Sequence, residues 1–235
     1  MHLIVEDKLI FLREYKDNVQ ILSANEIKKI NKNLIPDNWR VCEEKDTHKK
    51  IKMIMAYWKK YSGNELQNTI SYLHKHLEDI EIIKVKHRYS LLYTIENENG
   101  NKLYYEGRNP KEKFNNEVVE KPWNKFPDSL KKFYEHVHNG FYDYTSESMG
   151  LVPLESVTYL DDYEWGIIEE LQEPLKLDLK TSFGFFSNGM GDHVVFDYND
   201  CSNDNATLWF HDDQPNYRIN FWNVVDEWMV LGFQT

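Results

Sequence analysis

The sequence predicts an α+β protein with a mostly antiparallel sheet flanked by helices. Two observations carry this. Apolar residues recur at helical spacing over residues 47–80 and again after Pro127, while runs rich in β-branched and aromatic residues, joined by short Asn- and Gly-bearing turns, occupy 81–105 and 182–211. In addition, the second half runs in the order helix, strands, helix.

The elements follow in order. Residues 3–12 read as a strand. Ser23 and Glu26 have the spacing of a capping box before a short helix that Pro36 ends. A helix is expected over Thr47–Ser62, with Ile54, Tyr57, Trp58 and Tyr61 at i, i+3, i+4 and i+7 as its apolar stripe. Ser62-Gly63 breaks it, and Asn64 can cap a second helix along which Leu66, Ile70, Leu73, Leu77 and Ile80 step by four and three. The short loop between the two stripes predicts an antiparallel helix pair. Residues 81–95 turn to strand chemistry. Asn99-Gly100 tolerates positive φ at both positions and predicts a hairpin, with Leu103–Tyr105 as the returning strand. Residues 108–121 hold few large apolar side chains and read as a linker between an N-terminal unit, 1–107, and a C-terminal unit, 122–235.

In the second unit, Leu130, Phe133, Tyr134 and Val137 form a helical stripe after Pro127, and Gly140 stops it. A strand broken at Pro153 follows over 150–160. Trp165, Ile168 and Leu171 predict a short helix within 163–173. Ser182–Ser187, His193–Tyr198 and Ala206–His211 read as three strands, the first two joined by the tight loop Asn188–Asp192. Asn220 can cap a last helix that turns Phe221, Val224, Val225, Trp228 and Met229 inward.

Composition narrows the function. The chain has 235 residues, 41% hydrophobic and 29% charged, an ordinary globular balance with a high aromatic content of 14%. No apolar run reaches the ~18 residues of a membrane span, and the acid-bearing N-terminus does not read as a signal peptide. Cys42 and Cys201 form no framework or metal spacing, so inert thiols and a cytosolic setting are expected. Charge is uneven. Residues 1–120 hold 21 Lys+Arg and 19 Asp+Glu, a net of +2, whereas residues 121–235 hold 7 and 20, a net of −13. The acidic half would repel nucleic acid and anionic membranes and attract a basic partner.

Catalytic and cofactor motifs do not stand out. Gly189-Met190-Gly191 lacks the following Gly-Lys-Ser/Thr of a phosphate loop. Asp197 to Asp204 lacks the glycine and closing Glu of a calcium loop. His136 and His138 fall two apart, on different helix faces, and are expected near a helix C-terminus, where positive charge is favoured. No catalytic residue, metal or cofactor is expected.

The segment Trp123-x-x-Phe126-Pro127-x-Ser129-Leu130-x-x-Phe133-Tyr134-x-x-x-x-Asn139-Gly140 resembles the opening helix of the SUKH superfamily, the cell-wall-regulator-like bacterial immunity proteins. Leu151-Val152-Pro153-Leu154 resembles the strand that follows in that family, Phe185 to Asp197 its glycine turn and Asp-bearing strand, and Trp209–Asp212 with Phe221–Leu231 its closing sheet and helix. The likeness covers about residues 121–235. It implies a non-enzymatic protein that neutralises a cognate toxin domain, often a nuclease, by binding it. The superfamily also contains regulatory scaffolds, so fold alone does not imply immunity. Residues 1–107 have no counterpart in it.

The partner-binding residues expected on this reading are the carboxylates near aromatic anchors. Asp161, Asp162 and Glu164 surround Trp165, while Asp192, Asp197, Asp200, Asp204, Asp212 and Asp213, with Trp209, lie at the hairpin ends. The simpler reading is that Asp is common in turns, where it bonds nearby backbone.

Overall fold

The computed structural model describes residues 2–113 and 116–235. Phe114 and Asn115, part of the expected linker, lie outside the described residues. Its elements are α1 (His2–Tyr15), β1 (Val19–Ile21), α2 (Ala24–Lys29), α3 (Thr47–Ser62), α4 (Gln67–His76), β2 (Leu77–Val85), β3 (Arg88–Glu96), β4 (Lys102–Arg108), α5 (Glu117–Glu120) and α6 (Asp128–Lys132). Then come β5 (Phe141–Asp143), β6 (Gly150–Leu151), β7 (Thr158–Tyr159), β8 (Ser182–Ser187), β9 (His193–Asp197), β10 (Asn205–Trp209), β11 (Asn216–Asn220) and α7 (Phe221–Gln234).

The fold is α+β. All strands join one open antiparallel sheet in the order β1-β2-β3-β4-β5-β6-β8-β9-β10-β11, with β7 added beside β8. The sheet crosses the expected boundary, because Gly107 of β4 pairs with Phe141 of β5. The expected linker therefore begins inside a strand: Arg108 and Asn109 are buried, and Asn116 caps α5 by accepting from the Val119 N–H.

Strand register separates two faces. Leu91, Tyr93, Tyr105, Phe141, Leu151, Phe186 and Val194 point to the front, which α2, α3, α4, α6 and α7 cover as the main core. Leu92, Glu106, Tyr142, Gly150, Ser187 and His193 point to the back. There, α1 covers Ile83, Val85, Leu92, Tyr104 and Tyr144, and the segment 160–180 covers Val195 and Trp209.

Several sequence expectations change. Residues 3–12 belong to helix α1, because Leu12 packs as a helix side chain onto the back of the sheet while Lys8 reaches Glu81 at 2.6 Å. The capping box of Ser23 and Glu26 is present, but α2 ends at Lys29, well before Pro36. The α3 bounds match, yet its buried stripe is Ile51, Ile54, Met55 and Trp58; Tyr57 and Tyr61 sit at its margin, 4.8 Å apart. Asn64 caps nothing. Instead the carboxylate of Asp226, from α7, accepts the Asn68 and Thr69 N–H groups at 2.9 and 2.8 Å and closes the N-terminus of α4. Leu77 and Ile80 lie in β2 rather than on α4, and residues 77–96 form a hairpin turning at Lys86, whose φ is 57°. Residues 163–173 hold only a 3₁₀ turn, Gly166–Glu169. Strand β11 was not foreseen, since its burial alternates weakly at the sheet edge. On α7, Trp222 and Phe233 are buried while Val224 and Trp228 are only half-buried.

After α6 the chain widens into a π turn, Phe133–Val137, and His138 N–H bonds the Phe133 carbonyl. The helix thus ends before Gly140, whose φ of +89° and approach to Pro153 leave no room for a Cβ. The π turn drives His138 into the front core. Trp58 Nε1 donates to Tyr93 Oη (3.0 Å), Tyr93 donates to His138 Nε2 (2.7 Å), and His138 Nδ1 donates to the Arg108 carbonyl (3.2 Å). Burial pushes the His138 pKa down to about 3, so the ring is neutral, not the positively charged helix-end group expected. Gly107 makes this possible, because a Cβ there would lie 2.5 Å from the imidazole.

Candidate partner-binding surface

The expected site residues sit at the ends of β9 and β10 or on the segments that flank β7, β8, β9 and β10, and the five-residue strand β9 separates them into two groups. At the end where β9 begins, the hairpin Asn188–Asp192 is closed by Asn188, whose Oδ1 accepts the Met190 and Asp192 N–H groups and whose Nδ2 donates to Asp192. Asp192 also accepts His211 Nδ1 (2.7 Å) and the His211 N–H (3.1 Å). These bonds hold the Asp192 carboxyl below its usual range and raise the His211 pKa, whose first cause is that same contact. His211 Nε2 lies 3.6 Å from Asp212. Trp165 reaches the same end, its ring 5.2 Å from Trp209 and 6.3 Å from His193, with its Nε1 donating to Leu160 O.

At the other end of β9, Asp197, Asp200 and Asp204 surround Cys201 and contribute to raising its thiol pKa, after burial itself. Asp197 accepts from Thr181 Oγ1 and from the Asn199 N–H, and Asp204 accepts from Ser129. Asp161 and Asp162 follow β7, whose Tyr159 pairs with Phe183 of β8, one residue from Ser182 opposite Asp197. A cleft of about 410 Å³ bounded by Asp197, Asp200, Tyr217, Lys176 and Arg218 adjoins this end.

The structure therefore does not gather the expected residues into one face. Trp209 is fully buried beneath Trp165 and cannot anchor a partner. Asp192, Asp197 and Asp204 chiefly hold turns together, as the simpler reading of turn carboxylates describes. Asp161, Asp162, Glu164, Asp200, Asp212 and Asp213 are exposed. Among the described residues, no Lys or Arg pairs with any of these six, although other carboxylates of the acidic half are paired, Asp128 with Lys131 and Glu173 with Lys176 within it, and Glu147 and Glu155 with Lys16 and Arg108 from the first half. Asp192, His211 and Asp212 each offer one possible metal-ligand atom within 4.8 Å of the others, but hydrogen bonding already accounts for the Asp192–His211 contact.

Sequence reasoning missed a buried charge network on the back of the sheet. Lys16 Nζ lies 2.5 Å from Glu106 and 2.7 Å from Glu147, over the Tyr144 ring, and Glu106 also accepts from Ser90. Burial opposes ionisation of Glu106, but Lys16, Ser90 and Arg108 together outweigh it and its pKa is lowered. Beside it, Arg108 donates to Glu112 (2.8 Å) and Glu155 (2.6 Å). The period-two spacing Tyr104-Glu106-Arg108 was the available signal, hidden because 108 onward read as linker. Both cysteines are buried and free, with raised pKa values, Cys42 to about 12.

Comparison with protein-family models, with curated proteins and with solved structures returns no match to this chain. Among the described residues, no helix is long and apolar enough to cross a membrane.

Proposed function

We propose that this chain is a cytoplasmic immunity protein without enzymatic activity, which binds a cognate toxin domain and occludes its active site. One observation carries the reading: residues 121–235, the part that resembles the SUKH superfamily, hold a net charge of −13, and among the described residues their exposed Asp161, Asp162, Glu164, Asp200, Asp212 and Asp213 pair with no Lys or Arg. Uncompensated charge of one sign costs self-repulsion and favours a partner of opposite sign. A basic toxin domain, such as a nuclease that must itself attract phosphate, has the matching surface, whereas nucleic acid and anionic membrane would be repelled.

Co-expression with the toxin domain encoded beside this protein tests the reading. Rescue of growth and a one-to-one complex are expected, with an association rate that falls steeply from low to physiological ionic strength. Absence of both rescue and complex would overturn it and move weight to a regulatory scaffold. A complex whose association ignores salt would overturn its electrostatic part.

A further inference from the structure

We infer that the docking centre for the basic partner is the apolar end of the β8–β9 hairpin, formed by Tyr163, Trp165 and Met190. This rests on the immunity reading and assigns its contact face. The two most exposed large apolar side chains of the acidic half are here. Met190 is 77% exposed at the hairpin tip and Tyr163 is 56% exposed beside Trp165, at 5.6 Å between rings.

The three side chains lie at the same end of the sheet, where β9 begins. Trp165 packs on Trp209 and His193, His193 follows Asp192, and the His211 ring lies against Gly191, next to Met190. The hairpin backbone and the Trp165 ring are held before any partner arrives. Asn188 and Asp192 fix the hairpin, and Leu160 O and Trp209 fix Trp165. A preorganised patch loses little side-chain freedom on binding. Exposed Met, Tyr and Trp are the side chains that concentrate binding energy at interface centres, with charged groups outside them as a solvated rim. Glu164, Asp212 and Asp213 supply an anionic rim, and no Lys or Arg pairs with them among the described residues. That charge selects a Lys- or Arg-bearing protein surface as occupant over a neutral one or a second acidic copy of this chain. The opposite end of β9 is more densely acidic but presents no large apolar side chain in the open.

The test measures affinity of the full chain for the toxin domain encoded beside it. The double variant Tyr163→Ala, Met190→Ala is compared with Leu231→Ala, which truncates another exposed apolar side chain of the acidic half, on α7. Thermal melts check that each variant is folded. The double variant is expected to bind at least tenfold more weakly, through faster dissociation, and Leu231→Ala to bind within twofold of wild type. Asp212→Lys is expected to slow association and change dissociation little. If the wild-type complex forms and the double variant binds as tightly, the docking centre is overturned and the immunity reading stands. If the wild-type chain forms no complex, both fall.

Discussion

On the front of the sheet, Phe141 lies among Trp58, Tyr93 and Tyr105 at 4.9–5.3 Å between rings, and five helices close over it. On the back, one layer away, Lys16, Glu106 and Arg108 are buried as ions between two smaller apolar clusters. The front is held by shape, since area removed from water stabilises any well-filled arrangement. The back is held by pairing: Glu106 of β4 meets Lys16, just past α1, and Ser90 of β3, Lys16 also meets Glu147, and Arg108 meets Glu112 and Glu155. Pairing of this kind adds little net stability but makes the wrong arrangement costly. Regular helices cover the front, whereas α1 and the irregular segment 160–180 cover the back.

Breaking each face separately sharpens this contrast. On the front, Trp58→Ala should lower unfolding free energy by about 3–5 kcal/mol in denaturant titration, as the cavity cannot collapse among fixed rings. On the back, Glu106→Leu should cost a similar ~3–5 kcal/mol because it leaves the buried Lys16 only its contact with the exposed Glu147. The faces then separate in the rescue: adding Lys16→Met to Glu106→Leu should recover most of the loss, whereas no second truncation rescues Trp58→Ala. Failure of that recovery would mean the ions are needed for more than their own pairing.

The next effect concerns pH. His138 titrates near 6.5 when unfolded and near 3 when folded, so its contribution is fully present above about pH 6.5 and is lost as pH falls toward 3. Between pH 7 and 4 this amounts to about 3 kcal/mol. His138→Gln should be less stable at pH 7, yet its stability should fall less steeply with acid. Glu106, whose folded pKa is depressed, keeps its contribution until pH falls below the ordinary carboxylate range, so loss of stability that begins near pH 6.5 belongs to His138. The smallest effect is at the helix joint. Asp226→Ala should cost about 1 kcal/mol, as a lost helix cap does, and should speed amide exchange first at Asn68 and Thr69.

Much of the fold was legible where one local signal sufficed. The α3 bounds, the capping box at Ser23, the Asn99-Gly100 turn and the Asn220 cap on α7 all follow from side chains acting within a few residues. Misreadings arose where a distant partner decided the outcome. The α1 segment carries a strand-like run of apolar residues, but a helix lets Leu12 and Lys8 both meet the back of the sheet. The α4 cap comes from a residue more than 150 positions away. Candidate surface residues were recognised by type, yet which were exposed was not, and Trp209 and Asp192 turned inward.

The sequence by itself determined the α+β class, the hairpins at Asn99-Gly100 and Asn188–Asp192, the limits of α3, the start of α7 and the concentration of negative charge after residue 120, because propensity, capping and composition are local or additive. Only the tertiary structure decided that both halves share one sheet, that β9 divides the carboxylates into two groups, and that Glu106, Arg108 and His138 are buried. Each of these depends on strand register and on which surfaces exclude water, and both are set by contacts between segments far apart in the chain.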